Sequence, residues 1–140
     1  MDMENLSFEQ LKIGQEASFE RVFSVGDINK FAEMTGDYNP LHMDNAYARE
    51  AGFAGQIIHG MLAGSLFSTL VGMYLPGKNC LYLSQELNFH LPIKPKEKLK
   101  ICGKIIGKSE ALKIAEIETK IFDKNNKALI TGVAKVKLLK

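Results

Sequence analysis

The chain has no tryptophan and only two cysteines, Cys80 and Cys102. The two form no C-x-x-C pair, and no other cysteine or histidine stands at metal-ligand spacing around them, so neither a redox pair nor a metal knuckle is expected. They read as buried or half-buried free thiols, in keeping with a reducing compartment. A strong charge of either sign is also missing: the formal net charge is +2, and no basic stripe with interleaved aromatics exists to suggest nucleic acid. A long hydrophobic run is missing as well. The most apolar stretch, Met61 to Leu75, is interrupted by Gly64, Ser65, Ser68, Thr69 and Gly72, and is too short and too polar for a membrane span. The first ten residues are polar and acidic, without the basic start and apolar run of a signal peptide. These absences predict a soluble cytoplasmic protein that binds neither nucleic acid nor membrane. There is no repeat, low-complexity tract or linker, so one domain over residues 1–140 is expected.

What is present divides into two textures. The first half is helical and loop-rich. Phe19 to Phe23 suits a short strand, and Ser24 is a good N-cap with Asp27 three residues on. Ile28, Phe31, Ala32 and Met34 give the following helix an apolar face, which Gly36 and Pro40 end. Asp44 can cap a second short helix through Asn45 to Ala51, and residues 52–60 form a glycine-punctuated connection. From Gly60 to about Leu75 almost every position is apolar or small, which predicts a helix lying in the middle of the fold and ended by Pro76-Gly77.

The second half reads as strands. Leu81, Leu83, Leu87 and Phe89 alternate with polar partners and predict one half-buried strand. Lys98 to Gly107, Leu112 to Phe122 and Ala128 to Leu138 follow, with a phase change near Ile114-Ala115 that suggests a bulge. Residues 123–127 are turn chemistry. The lysines between Lys94 and Lys104 read as a solvated strand edge. Four strands joined by short turns imply an antiparallel meander, and a buried helix must pack on it, so the fold class is α+β.

Chemistry concentrates in Thr35-Gly36-Asp37-Tyr38-Asn39-Pro40-Leu41-His42. Asp37 and His42 would lie about 140° apart on a continuous helix. Gly36 and Pro40 make a loop instead, and a loop can turn a carboxylate and an imidazole toward one water. The competing role is a helix end with a turn, in which Asp37 and Asn39 bind only backbone. A second signal is Ile58-His59-Gly60-Met61 at the start of the apolar helix, where free amides point outward and Gly60 lets a ligand oxygen come close. His59 is expected to cap or pack rather than to face a site, and His90 to lie exposed at a strand end. The chain lacks G-x-G-x-x-G, a Walker loop and H-E-x-x-H, so no nucleotide, flavin or metal cofactor is expected.

The run Phe31-Ala32-Glu33-Met34-Thr35-Gly36-Asp37-Tyr38-Asn39-Pro40-Leu41-His42, with Ala48 beyond it, resembles the hydratase 2 signature of the MaoC-like dehydratases, which include the R-specific enoyl-CoA hydratases. Ile58-His59-Gly60-Met61-Leu62 with Ser65 to Ser68 is similar to that family's central helix, and Gln85, Leu87, Phe89 and Pro92 to its next strand. The resemblance runs from about Gly14 to the C-terminus. It implies a hot-dog fold, an antiparallel sheet wrapped around a long central helix, in a homodimer whose sheets are continuous. It implies reversible hydration of trans-2-enoyl-CoA to (R)-3-hydroxyacyl-CoA, an acyl-CoA substrate and no cofactor. Asp37 and His42 would activate water and manage the proton at C2, and the Gly60 N–H would polarise the thioester carbonyl. Asn39 would orient the loop, Ser68 would support Asp37, and Val71 and Val136 would line the acyl pocket, which Phe67 or Tyr82 could narrow. Two alternatives share these features: a hot-dog acyl-CoA thioesterase, and a dehydratase of 3-hydroxyacyl thioesters on acyl carrier protein.

Overall fold

A computed structural model describes residues 2–140. Strand β1 (Glu16–Val22) leads to Ser24, whose hydroxyl accepts the Asp27 N–H while the Asp27 carboxylate accepts the Ser24 N–H. This reciprocal cap starts α1 (Val25–Thr35), and Gly36 ends it in the left-handed region at φ 79°. The expected stop at Pro40 is also a start. Pro40 takes the first position of a short helix, α2 (Pro40–Met43), where its missing N–H costs nothing. Asp44 then caps α3 (Asn45–Glu50) by accepting the Ala46 and Tyr47 amides.

The helical run expected from Gly60 is present but not uniform. It comprises α4 (Gly60–Gly64), α5 (Leu66–Thr69) and a wider π-type turn over Leu70–Tyr74. The Ser65 hydroxyl donates back to the Leu62 carbonyl at 2.5 Å, which competes with the regular ladder and marks the break. The run is also not enclosed on every side. Leu66, Phe67, Leu70 and Val71 are buried, while Met61, Ser65 and Ser68 share an outward stripe.

The remaining strands are β2 (Cys80–Gln85), β3 (Asn88–Phe89), β4 (Lys98–Ser109), β5 (Ile114–Phe122) and β6 (Ala128–Leu138). They form one antiparallel sheet in the order β1-β4-β5-β6-β2, with β3 also paired to β6. The sheet lies against the helical run, and its buried side chains fall into two clusters. Phe67 and Leu70 anchor one with Ile28, Leu99, Ile101 and Ile121. Val71 and Leu75 anchor the other with Phe8, Leu11, Ile117 and Val136. The polar N-terminal segment therefore supplies two core residues that its composition hides. Among the described residues no helix is long and apolar enough to cross a membrane.

Several strand expectations need correction. The single strand from Leu81 to Phe89 is two. Gln85 turns inward to donate to Thr119 Oγ1 at 3.0 Å and receives the Tyr82 hydroxyl, so a buried polar pair interrupts the pleat. The phase is reversed in β2: Cys80 and Tyr82 pack on the core, whereas Leu81, Leu83 and, in β3, Phe89 are about half exposed; Leu87 between them packs on the first cluster as expected. Burial holds both thiols, Cys80 and Cys102, above their ordinary pKa, and it pushes the Tyr82 phenol up to about 12. The register shifts leave extra residues in β2, β4 and β6, and none in β5. In β4, Ile105 faces Ile117 and Gly107 faces Glu116, so Ile106 is the extra residue, while β5 alternates without interruption. The lysines of β4 are solvated as expected, yet β4 is an inner strand between β1 and β5; Lys98 pairs across to Glu20 at 2.9 Å.

Gly132 fixes the β2–β3 break. A Cβ there would sit 1.7 Å from the Glu86 carbonyl oxygen, a backbone atom that cannot step aside. Gly132→Ala is expected to cost on the order of 3 kcal/mol or more, read as a lowered urea midpoint with an unchanged slope.

Candidate active site

Gly36 reverses the chain after α1 and places Asp37 on the connection to α2. The Asp37 carboxylate accepts the Asn39 N–H at 3.2 Å, and the Asn39 side chain accepts the Leu41 N–H at 3.0 Å. The turn role that the sequence allowed is therefore real, and it leaves the carboxylate about half exposed. It is what holds the loop. Asn39 orients the segment as the N-cap of α2, whose third residue is His42.

His42 is fixed at one nitrogen. Its Nδ1 lies 2.8 Å from the Ile57 carbonyl, which can only accept, so Nδ1 carries the proton and Nε2 keeps a lone pair. The main chain of the same segments is tied by the Ile57 N–H to the Leu41 carbonyl at 3.1 Å and by Gln56 Nε2 to the His42 carbonyl at 2.7 Å. The connection over residues 52–60, read as a spacer, thus holds the imidazole from behind. Its contribution comes through main-chain oxygens, which side-chain identity does not reveal.

His59 departs most from expectation. It is only 2% exposed, yet it belongs to the site. Its ring stacks on His42 with centroids 4.0 Å apart, and its Nε2 lies 3.0 Å from the Asp37 backbone carbonyl. The Asp37 carboxylate is 4.0 Å from the same nitrogen, too long for a hydrogen bond. The carboxylate and the two imidazoles offer nitrogen and oxygen atoms within 4.8 Å of one another, the composition of a metal site. The geometry suits an ion poorly. The rings are stacked 26° from parallel, so their in-plane lone pairs do not meet at one point, and His59 Nε2 is taken by a carbonyl.

Gly60 opens the helical run beside His59, which provides no side-chain cap for the first amides. His42 and Gly60 line the same cleft, about 490 Å³, with apolar walls that include Phe53, Met61, Phe89 and Ile93. A Cβ on Gly60 would lie 2.8 Å from the Phe89 ring, so glycine is needed here by a neighbouring side chain as well as by any ligand. His90 is exposed as expected and sits at the rim of this cleft, bonded to Thr131 Oγ1 at 2.7 Å. A larger hollow of about 590 Å³ lies on the solvent side of β1, β4 and β5 among Glu16, Lys100, Glu118 and Lys120, and contains none of the candidate residues.

The resemblance placed Ser68 beside Asp37, and Val71 with Val136 in the acyl pocket. Ser68 is exposed on the outward stripe, and among the described residues its hydroxyl makes no hydrogen bond to Asp37. Val71 and Val136 are 1% and 0% exposed in the second core cluster and do not line the cleft.

Comparison with known proteins agrees with this geometry. The chain is 38% identical over 133 residues to the (R)-specific enoyl-CoA hydratase of Aeromonas caviae, covering 95% of this chain and 99% of that one. It is 38% identical over 114 residues to a mitochondrial 3-hydroxyacyl-[acyl-carrier-protein] dehydratase of Arabidopsis thaliana, covering 81% of this chain and 64% of the relative. Among solved structures, the unliganded R-hydratase of Pseudomonas aeruginosa superposes with a TM-score of 0.91 at 32% identity, over 97% of this chain and 87% of that one. The fold is thus the hot dog expected from the sequence. Residues 8–126 match the family model of the MaoC-like domain, and the chain belongs to that family.

Proposed function

We propose that the protein catalyses reversible hydration of trans-2-enoyl-CoA to (R)-3-hydroxyacyl-CoA. The observation that carries this reading is one apolar cleft lined both by an imidazole held at Nδ1 and by Gly60, at a helix start that no side chain caps. The names of the most similar relatives support it.

The chemistry follows from the parts. Water adds at C3 only if its proton is removed and if the thioester oxygen can carry the electrons displaced from the double bond. His42 Nε2, held by the Nδ1–Ile57 bond, accepts the proton. The Asp37 carboxylate, about half exposed, orients the same water and favours the imidazolium that forms. The oxygen–carbon bond forms at C3, the electron pair moves onto the thioester oxygen, and the Gly60 N–H stabilises that charge; one such donor is worth on the order of 3 kcal/mol in the barrier. Collapse of the enolate takes a proton at C2 from the pair and restores it. No step requires a metal or an organic cofactor.

A homodimer fits the surface. Strand β2 has a free edge beyond its pairing with β6, and it exposes Leu81 and Leu83. A second copy pairing along β2 would continue the sheet and cover these leucines. Leu81→Lys with Leu83→Lys is expected to convert a dimer to a monomer in light scattering behind a sizing column; an unchanged dimer mass would place the interface elsewhere. A cytoplasmic setting accords with the free thiols.

The direct assay is loss of the conjugated-thioester absorbance of crotonyl-CoA, followed beside a thiol reagent. Absorbance loss without thiol release supports hydration. Thiol release at a matching rate would instead make the protein a thioesterase. The second reading, dehydration of a thioester carried on acyl carrier protein, rests on the Arabidopsis relative, whose length this chain covers by 64%.

A further inference from the structure

We infer that His59 is a positioning residue that sets the geometry of Asp37 and His42 from below. The inference builds on the proposed hydratase reading for its activity arm. Its structural basis is independent of that reading.

Asp37 lies on an exposed loop and His42 on a half-buried helix of four residues. Their own ties are local: the Asn39 N–H on the Asp37 carboxylate, and the Ile57 carbonyl on His42 Nδ1. His59 is built differently. It immediately precedes Gly60 at the head of the helical run, between Ile58, which is 3% exposed, and the core residues of α4 and α5. Its neighbour's amide is fixed as well, Ile58 N–H to the Ile93 carbonyl at 2.8 Å. Phe31 closes the other side at 4.8 Å between ring centroids. From this anchored place one side chain reaches both members of the pair. The Nε2 edge donates to the Asp37 carbonyl, and the ring face lies under His42.

The unpaired nitrogen shows why a simple packing role is insufficient. With Nε2–H given to a carbonyl, Nδ1 is the lone-pair nitrogen of the neutral ring, and among the described residues it is buried without a partner. Phenylalanine would fill the same space and stack equally well with no orphaned atom. An imidazole is worth that cost only for its edge donor. A neutral ring also suits the chemistry above it. When His42 takes the proton from water it becomes a cation, and a neutral π face 4.0 Å beneath attracts it where a second cation would repel it.

Nitrogen-resolved NMR of the wild-type protein labelled at histidine tests the placement without any assay. The expected result is His59 as the Nε2–H tautomer and His42 as the Nδ1–H tautomer. His59 as the Nδ1–H tautomer, or doubly protonated at neutral pH, overturns the inference. The activity arm compares two variants on crotonyl-CoA. His59→Phe keeps the stack and loses the donor; His59→Gln keeps a donor and loses the ring. Misplacement of the pair is expected to lower kcat by about tenfold to a hundredfold in His59→Phe with KM almost unchanged, and His59→Gln should recover part of the loss. A kcat within about twofold of wild type in His59→Phe overturns the inference, and so does a KM that rises as far as kcat falls. If His59→Phe does not fold, the tautomer measurement decides alone. Wild-type protein inactive on every enoyl-CoA would sink the hydratase reading and leave the tautomer result to judge His59.

Discussion

Replacing Asp37 with asparagine is expected to lower kcat for crotonyl-CoA by about a thousandfold, within the range that general acid–base groups contribute. The substitution separates charge from shape. Asparagine keeps the oxygen that accepts the Asn39 N–H, so the turn into α2 survives. The side chain is about half exposed, and its exchange for a neutral isostere should move the melting temperature by no more than about 2 °C. KM should change little, because the carboxylate acts on water and not on the coenzyme. A variant with more than about a tenth of wild-type kcat would remove Asp37 from the mechanism.

Replacing His42 with alanine should be at least as damaging and should differ in character. It removes the lone pair at Nε2, leaves the Ile57 carbonyl without its donor, and uncovers the face of His59. A cost in stability of about 1 kcal/mol is expected from the lost hydrogen bond, with the fold intact by circular dichroism. The loss in kcat should again be on the order of a thousandfold to ten thousandfold. The double variant is the more telling measurement. Two groups that work on one water act as a unit, so Asp37→Asn with His42→Ala should be little slower than His42→Ala alone. Fully multiplicative losses would mean that the residues serve separate steps.

Punctuation showed the turn around Asp37 and His42, and the family resemblance singled the two out as a pair. Position 36 takes a left-handed backbone that suits glycine, and Asn39 with Pro40 starts a new helix, so the acid and the histidine stand on either side of one turn. Gly60 was legible as the start of an apolar helix. What supports these residues was not. The Ile57 carbonyl that fixes the imidazole is a main-chain atom in a segment of small and apolar residues. His59 looked like packing, and it does pack; only the fold puts its edge on Asp37 and its face on His42.

The fold shows the same division. Alternation located β4, β5 and β6 because those strands bury one face in this chain. It failed at β2, where the leucines are the outward phase and Tyr82 and Gln85 turn inward to a polar pair with Thr119. An apolar residue on an exposed edge strand follows the same period as one in a core, and sequence cannot separate the two. The resemblance assigned Val71 and Val136 to the acyl pocket; in this chain they pack with Phe8 and Leu11, from a segment whose composition suggested nothing of the kind.

The central claim is addition of water to carbon. Crotonyl-CoA incubated with the purified protein in oxygen-18 water, and analysed by mass spectrometry and chiral chromatography of the product, tests it most directly. The account predicts (R)-3-hydroxybutyryl-CoA with the thioester intact and one heavy oxygen at C3. Free coenzyme A with label in a released carboxylate, or unlabelled crotonyl-CoA after prolonged incubation, would contradict it.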